Sequence, residues 1–359
     1  MHTMGLSMEY SNVSVAILTC NDWSRTLDCL AAVHAQTTPI KRIVVCDNGS
    51  GNEVADYILK GWRAIADGYG MDGPVELFGD DNTLSPLVLL RREENEGAAR
   101  GINSALRFLL YDQECQAFWL LHNDVIPEPY ALEALLHHTV EQDRHGKERI
   151  SRIGIVGSTL LRQDTGLLQC AGGGVWSKTR GNVHLLDEGI ERFALSDHDD
   201  IARKMDFACG ASCLVLRQLI EDIGLYDESL YQFLEDVEYG LRAKKSGWNI
   251  NWAPGALVRH HAPNADKLTP VLAFTENPEL SREADYTTLR NRFYLLRKYS
   301  PFGLISAFAL LPFVLWSRFC KNQKQRLRLL LHAAYAGSSM RMGYPSYIRT
   351  TCEVATQSE

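Results

Sequence analysis

Hydrophobic and polar residues alternate with two different periods along the first third of the chain. Short β-branched runs predict buried strands, and longer segments with one apolar face predict helices between them. The predicted strands cover residues 13–19, 41–47, 87–92 and 117–121. The predicted helices cover residues 24–36, 52–68, 97–112 and a stretch that starts at Pro129, with Ser24 as the first N-cap and Gly68 closing the second helix. Regular alternation of strand and helix predicts a parallel sheet with right-handed crossovers.

The pattern becomes less regular after residue 152. A glycine-rich stretch at 171–182 predicts a hairpin or loop, and the acidic run 197–200 predicts a solvated loop. Strands are predicted at 152–161, 205–217, 248–253 and 256–261, with a helix at 235–247 that Gly247 closes. Beyond Asn264 no strand pattern remains. We therefore predict an α/β domain over residues 1–264, with halves at about 13–125 and 126–264, and a helical region over 265–359.

Composition narrows the class of protein. The 359 residues are 45% hydrophobic and 23% charged, which is typical of a globular chain with a sizeable core. A net charge of −7 argues against a nucleic acid as partner. The nine cysteines show neither a CxxC pair nor zinc-ligand spacing, and the first residues show no secretory signal pattern. These features predict reduced thiols and a cytoplasmic location.

One apolar segment departs from this picture. Residues 301–320 are strongly apolar, interrupted by Pro312 and flanked by basic runs on both sides. The apolar part is shorter than the roughly 20 residues that span a bilayer. Two alternatives stay open: a helix lying in the interface of an anionic membrane, or a helix buried in the core or in a contact between copies of the chain.

Polar residues follow the first two predicted strands where a parallel sheet keeps its ligand site. The sequence lacks GxGxxG and GxxxxGK[ST], and instead Thr19, Asn21 and Asp47 lie at these strand ends. A carboxylate there can accept from the N3–H of uracil or thymine, or from ribose hydroxyls. The alternative is that "DNGS" only forms an Asx-turn or helix cap.

Two further motifs carry candidate chemistry for a diphosphate. In "ENEGAARGIN", small residues at Gly97 open a helix N-terminus and Arg100 can reach an anion, although many structural helices begin this way. In "HND", Asp124 is a candidate ligand for a divalent ion and His122 a second contact. The alternative for "HND" is a structural turn.

A pair of carboxylates opens the helix in "FLEDVEYGLRAKKSGW". Glu235 and Asp236 lie at the helix start, where we expect the dipole to keep them ionised and able to take a proton, with Val237 and Leu241 facing inward. The alternative is compensation of the dipole alone. In "ALVRHH", one strand later, a histidine is placed to reach the same metal.

Taken together these motifs resemble the family 2 nucleotide-sugar glycosyltransferases with the GT-A fold. The resemblance covers about residues 13–261 through seven motifs in order: "VSVAILTCN", "IVVCDNGS", "NEGAARGIN", "LLHNDVIPEP", "GASCLVLR", "LYDESLYQFLEDVEYGLRAKKSGW" and "ALVRHH". The later "YTTLRNRFYLLRKY" resembles the tail of the rhamnosyl- and galactofuranosyltransferase branches. The implied fold is a mostly parallel, Rossmann-like sheet flanked by helices, with a C-terminal helical region.

The resemblance assigns roles by position. It implies that Asp236 is the catalytic base and that Asp124 and His260 hold a divalent metal, Mn²⁺ or Mg²⁺. The implied nucleotide-sugar contacts are Thr19, Asn21, Asp47, Asn95, Gly97, Arg100, His122 and Asn123. Gly210 and Glu235 are expected near the acceptor, and Trp176 either stacks on it or packs in a hairpin. The family's first metal-motif carboxylate is His122 here, which favours manganese over magnesium.

The implied reaction is a single displacement that inverts the anomeric carbon. The expected donor is a UDP- or TDP-sugar, with rhamnose or galactofuranose favoured, and the expected acceptor is a glycan or lipid-linked glycan of the cell envelope. We expect the protein at the inner face of the membrane, with contacts between copies through the C-terminal helices as a further expectation. The rival interpretations are a sugar nucleotidyltransferase and a non-catalytic glycan- or lipid-binding scaffold.

Overall fold

A mixed β-sheet with helices on both faces organises the protein in this computed structural model. The structure describes residues 12–66, 75–78, 87–142, 148–149, 152–261 and 282–343. The strands are β1 Val13–Thr19, β2 Arg42–Asn48, β3 Val75–Phe78, β4 Leu87–Arg92, β5 Ala117–His122, β6 Val125–Pro127, β7 Glu141–Gln142, β8 Glu148–Arg149, β9 Ile153–Arg162, β10 Leu168–Ala171, β11 Gly173–Trp176, β12 Val183–Leu185, β13 Phe207–Ala208, β14 Ser212–Leu216 and β15 Asn249–His260. The helices are α1 Trp23–His34, α2 Asn52–Ala66, α3 Ala98–Leu110, α4 Ala131–His137, α5 His198–Lys204, α6 Arg217–Ile223, α7 Glu235–Lys245, α8 Arg282–Tyr299, α9 Gly303–Cys320 and α10 Leu327–Ser338.

The order of strands in the main sheet is β3-β4-β2-β1-β5-β14-β9-β15-β6, with β10 paired to β9. Strands β4, β2, β1 and β5 run parallel, as the alternating pattern predicts. Strand β14 is antiparallel to both β5 and β9, so the second half of the sheet is mixed. Thr19 pairs with Asp47, and Leu18 pairs with His122. The three strand ends therefore meet at one edge.

Apolar side chains form three buried clusters. One lies between the sheet and α1, α2 and α4, and a second lies between the opposite face and α3, α5, α6 and α7. The third joins α7 to the C-terminal helices, and Val237 and Leu241 face inward as predicted. Helices α8–α10 thus share a core with the helix that begins at Glu235. The predicted domain boundary at residue 264 lies outside the described residues and stays a prediction.

Several local predictions were wrong. The N-cap of α1 is Asp22 rather than Ser24, because the Asp22 carboxylate accepts from the backbone N–H of Arg25. The acidic run 197–200 is not a loop but the start of α5, because the Asp197 carboxylate accepts from the backbone N–H groups of Asp199 and Asp200. The predicted Gly68 helix end lies outside the described residues.

Two predicted strand boundaries also differ. The expected strand 205–217 divides into β13 and β14, because β13 pairs with β11 in a small separate sheet whereas β14 joins the main sheet. Conversely, 248–253 and 256–261 form one strand, β15, with a register shift between Ala253 and Leu257 that accommodates Pro254. The glycine-rich stretch 171–182 leads from β11 into the hairpin with β12, as one of the two alternatives predicted.

One of the helices that the structure describes, α9, is long and apolar enough by composition to cross a membrane, and only 22% of it is buried. The eight cysteines in the described ranges form no disulfide.

Candidate functional site

The two carboxylate oxygens of Asp47, at the end of β2, differ in their hydrogen bonding. Its side chain is buried, and Oδ1 accepts from the backbone N–H of Ser50 at 3.1 Å, which is the Asx-turn foreseen as one alternative. Oδ2 is also buried, and no hydrogen-bond partner for it lies within the described part of the chain. Burial raises the pKa of Asp47, against the hydrogen bonds to Ser50. A buried acceptor of this kind suits a ring N–H or a hydroxyl from a ligand.

The other predicted nucleoside contacts have different surroundings. The Thr19 hydroxyl lies 2.8 Å from that of Thr26 on α1, so it faces the helix. Asn21 has a φ of 57°, and its backbone N–H donates to the Ser50 hydroxyl at 2.7 Å. Asn123 donates its amide to the Asp22 carbonyl at 3.2 Å. These contacts join the loops at the sheet edge, and the nucleotide roles of these residues stay predictions.

Asn48, which the sequence analysis missed, fastens the predicted diphosphate loop to β2. Its amide donates to Oδ1 of Asn95 at 3.0 Å and to the carbonyl of Gly97 at 3.1 Å. Gly97 has a φ of 88°, and a Cβ there would lie 2.3 Å from the carbonyl oxygen of Tyr231. Only glycine fits this position, because both the backbone conformation and the close approach exclude a side chain.

The helix N-terminus expected to face phosphate is partly occupied. The Tyr231 carbonyl accepts from the Ala99 N–H of α3 at 3.3 Å. The exposed Arg100 pairs with Glu96 at 2.8 Å and lies 3.4 Å from Glu228. An anion at this helix would compete with both contacts, and the predicted role of Arg100 is untested.

Three side chains form a candidate metal site at the junction of β5, β6 and β15. Ligand atoms of His122, Asp124 and His260 lie within 4.8 Å of one another. The antiparallel pairing of His260 with Val125 brings the last histidine to this turn. Asp124 Oδ1 is buried without a well-formed hydrogen bond, although Nε2 of His260 lies 3.3 Å away. A buried carboxylate oxygen between two imidazoles fits a divalent ion such as Mn²⁺.

The protonation states also fit a metal. Burial lowers the pKa of His122, which favours the neutral imidazole. Burial acts to raise the pKa of Asp124, but the imidazoles of His260 and His122 outweigh it and leave the pKa below its ordinary value. A neutral histidine beside an ionised carboxylate is the state that a metal requires.

Gln169, on β10, orients the third ligand and was also missed from the sequence. Its buried Oε1 lies 2.7 Å from Nδ1 of His260. An amide oxygen only accepts, so Nδ1 carries the proton and Nε2 presents its lone pair towards Asp124. A glutamine within the apolar run "GLLQCA" is the only signal in the sequence.

The predicted base, Asp236, is held by two backbone donors. Oδ2 accepts from Gly210 N–H at 3.1 Å and Oδ1 accepts from Val237 N–H at 2.8 Å. Ala211 follows Gly210, and its carbonyl accepts from the backbone N–H of His122 at 3.1 Å. The two-residue turn therefore connects the carboxylate to the metal cluster, and Gly210 contacts Asp236 directly.

The expectation that the helix start keeps both carboxylates ionised was wrong. Glu235 and Asp236 are half-buried and enclosed by protein on most sides, and Glu235 Oε2 has no hydrogen-bond partner among the described residues. Burial raises the pKa of Asp236. Burial and the neighbouring Asp236 charge raise the pKa of Glu235 to about 8. Burial therefore favours the protonated form of Glu235 and makes Asp236 a stronger base than an exposed aspartate.

The loop before these carboxylates has strained backbone conformations and is held by hydrogen bonds from α8. Tyr231, Phe233 and Leu234 have φ values of 63°, 68° and 65°. The buried amide of Asn291 donates to the carbonyls of Leu230, Gln232 and Phe233 at 2.9, 2.9 and 2.7 Å. Such backbone conformations persist only when the surroundings hold them. The hydrogen bonds from Asn291 therefore fix the position of Asp236.

Trp176 supports the packing alternative. Its ring is 2% exposed and lies edge-on to Tyr299, with centroids 6.5 Å apart. In this position it has no face free for a sugar.

Comparison with known proteins identifies the family to which this fold and site belong. The family model described as "Glycosyltransferase like family 2" matches residues 11–277. The chain belongs to this family, and its α/β architecture is of the GT-A class, as predicted.

Two curated relatives are similar to parts of this chain. The galactofuranosyltransferase GlfT2 of Mycolicibacterium smegmatis is 25% identical over 274 residues, which cover 70% of this chain and 37% of the relative. The N-acetylglucosaminyl-diphospho-decaprenol L-rhamnosyltransferase of Mycobacterium tuberculosis is 32% identical over 68 residues, or 19% of this chain and 22% of that protein. The matches thus span well under half of either relative.

Solved structures with similar architecture include two glycosyltransferases. GalNAc-T7 with UDP, GalNAc and Mn²⁺ has a TM-score of 0.48 and 17% identity, covering 70% of this chain and 44% of that one. The mannosyltransferase PcManGT of Pyrobaculum calidifontis, with GDP-Man and Mn²⁺, has a TM-score of 0.47 and 14% identity, covering 91% and 86%.

Proposed function

We propose that the protein is an inverting glycosyltransferase that moves a sugar from a UDP- or TDP-sugar to a hydroxyl group of a glycan or lipid-linked glycan. The observation that carries the proposal is the link between base and metal cluster. Gly210 holds Asp236, and the adjacent Ala211 holds the backbone of His122. A proton acceptor and a site for the leaving diphosphate are thereby fixed on one turn.

The chain's own residues account for the proton transfer. Asp236 takes the proton of the attacking acceptor hydroxyl, and its raised pKa makes it a stronger base than an exposed aspartate. The protonated Glu235 beside it can donate a hydrogen bond to an acceptor oxygen. His122, Asp124 and His260 would hold a divalent ion, which when bound neutralises charge on the departing nucleoside diphosphate.

The nucleotide choice rests on Asp47. Its buried Oδ2 has no hydrogen-bond partner in the described chain, and N3–H of uracil or thymine is a donor of matching chemistry. The relatives transfer galactofuranose or rhamnose according to their names, and these sugars are the first donors to test. The name of the rhamnosyltransferase includes a diphospho-decaprenol, which supports a lipid-linked acceptor and a location at the inner face of the membrane.

A donor panel tests the proposal. Release of UDP or TDP is measured from UDP-galactofuranose, TDP-rhamnose and UDP-hexoses, with glycan acceptors and with or without Mn²⁺. We expect one donor to support acceptor- and metal-dependent release, and product analysis by NMR to show an inverted anomeric centre. Asp236→Asn should abolish transfer yet bind the donor, while Asp164→Asn on an exposed turn serves as the matched control.

Four results contradict the proposal. Release with a retained anomeric configuration excludes the displacement mechanism, and near-normal turnover by Asp236→Asn removes the base. Failure with every donor supports a non-catalytic scaffold, and formation of a nucleotide sugar from a sugar phosphate and a nucleoside triphosphate supports a nucleotidyltransferase.

A further inference from the structure

Helix α9 has a wide apolar face that is largely exposed in the described chain, although Phe308 packs edge-on against Phe293. The large exposed side chains recur at helical spacing along one side of the helix, starting just before it: Phe302, Ile305, Phe308, Phe313, Trp316 and Phe319. Phe313 and Trp316 are 78% and 64% exposed. The helix is 18 residues long, or about 27 Å at 1.5 Å per residue. A continuous apolar strip of this length on a protein surface indicates an interaction site.

The opposite side of α9 is fixed to the protein body. Ala307 and Leu311 are buried against the C-terminal core, and a Cβ on Gly303 would lie 2.3 Å from the carbonyl of Lys178. Near the other end, Arg318 forms a buried ion pair with Asp285 at 2.7 Å. Crossing a bilayer would require the helix to leave these contacts and break this pair. Because the helix is docked along its length, its apolar face points outward with the axis lying along the surface.

Positive charge borders the apolar strip. Residues 301–343 contain six Lys or Arg and no Asp or Glu, in a chain whose net charge is −7, and two of the six, Arg318 and Arg326, pair with Asp285. Exposed cations follow the C-terminal end of α9, among them Lys324, whose ammonium lies 4.8 Å from the ring centre of Phe319. Exposed Lys178 and Arg180 flank Thr179, whose carbonyl accepts from Ser306 near the other end. Both ends of the strip therefore carry cations.

We propose that this face of α9 binds the surface of an anionic lipid bilayer. The phenylalanine and tryptophan side chains enter the boundary between headgroups and acyl chains, and the bordering lysines and arginines contact lipid phosphates. Charge favours this partner over a second copy of the chain, because a two-fold contact would bring the two cationic borders together. The inference does not depend on the sugar-transfer reaction.

Vesicle flotation tests the inference with the full chain. The vesicles contain either phosphatidylcholine alone or 70 mol% phosphatidylcholine with about 30 mol% phosphatidylglycerol, and salt is varied. We expect flotation with the anionic vesicles, weakened by salt, and a loss of at least about tenfold in the double variant Phe313→Ser/Trp316→Ser. The matched control is Tyr111→Ser/Phe193→Ser, since these aromatic residues are 86% and 93% exposed elsewhere. The control should float like the wild type.

Three outcomes overturn the inference. Wild-type protein that floats with neither vesicle, or a double variant that floats like the wild type, excludes this face as a lipid site. A dimer that forms without lipid and is lost in the double variant, with no flotation, assigns the face to contact between copies. Thermal unfolding of each variant verifies that the fold is retained. Loss of transfer with retained flotation would affect only the proposed function.

Discussion

The amide oxygen of Gln169 lies 2.7 Å from Nδ1 of His260, so a residue outside the ligand set determines which imidazole nitrogen faces Asp124. Substitution Gln169→Leu removes this acceptor while keeping a side chain of similar size. We expect the Mn²⁺ affinity of the protein without donor to fall by about 10- to 100-fold. Electron paramagnetic resonance of free Mn²⁺ during a titration measures this change.

The control for this variant is Gln163→Leu, because Gln163 is exposed and lies one residue beyond β9. Its Mn²⁺ affinity should equal that of the wild type. An unchanged affinity in Gln169→Leu would show that the glutamine has no part in orienting the ligand.

His122 offers a test of metal preference. Substitution His122→Asp exchanges an imidazole for the carboxylate that the family motif carries. Carboxylate oxygens suit Mg²⁺ better than an imidazole does, so the ratio of kcat/KM with Mg²⁺ to kcat/KM with Mn²⁺ should rise, by about tenfold if one ligand is exchanged. An unaltered ratio, with activity retained, would place His122 outside the metal's coordination sphere. Gln163→Glu, at an exposed position whose backbone N–H donates to the His260 carbonyl, is the control for added charge.

The parallel half of the fold follows from local pattern. Strands β1, β2, β4 and β5 lie where the β-branched runs predict them, because each is buried on both faces and alternates with a helix. The break between β13 and β14 has no such local cause. It depends on β11 and β5, which take the two halves into different sheets. Only the tertiary partners decide that division.

The candidate site also divides into residues that local sequence motifs indicate and residues that only tertiary contacts reveal. Asp124 and Asp236 stand in motifs whose spacing points to them, and His260 follows a recognisable strand. Gln169 and Asn291 each act through one side-chain amide that bonds to residues far away in sequence, and one buried amide produces no periodicity or motif. The pKa of Glu235 was misjudged because burial outweighs the helix dipole at this half-enclosed position.

Glu235 should make the stability of the metal-free protein depend on pH. Its pKa rises from 4.5 to about 8 on folding, so the folded state holds a proton that the unfolded state releases between these values. The free energy of unfolding therefore falls as pH rises from about 4.5 to about 8, and levels off above that. The glutamine side chain in Glu235→Gln is neutral at every pH, so the free energy of unfolding of this variant should not fall in that range.

The measurement compares thermal unfolding of wild type and Glu235→Gln from pH 5 to pH 9. The advantage of the variant should grow with pH to about 1–3 kcal/mol, less than the full shift because solvent reaches the half-buried group. Glu93→Gln, at an exposed position, should track the wild type at every pH. A constant difference between Glu235→Gln and wild type would mean that Glu235 is ionised throughout.

Asn291 should be needed for both stability and catalysis. Asn291→Ala removes the amide that donates to three carbonyls of the 230–234 loop. The Leu230 carbonyl keeps the guanidinium of Arg290 at 2.8 Å, whereas the carbonyls of Gln232 and Phe233 lose their described side-chain donor. We expect a loss of about 1–3 kcal/mol in the free energy of unfolding. Because three residues of this loop hold left-handed conformations, part of the damage should appear as displacement of Asp236.

Kinetics separate that displacement from simple destabilisation. Measured well below the melting temperature, kcat of Asn291→Ala should fall by about tenfold or more, since small misplacements of a reacting group are costly, whereas KM for the donor should change little. Arg297→Ala, at an exposed position of the same helix, should preserve both constants. If Asn291→Ala loses stability but keeps the wild-type kcat, the loop finds its conformation without the amide, and α8 supports the fold without positioning the base.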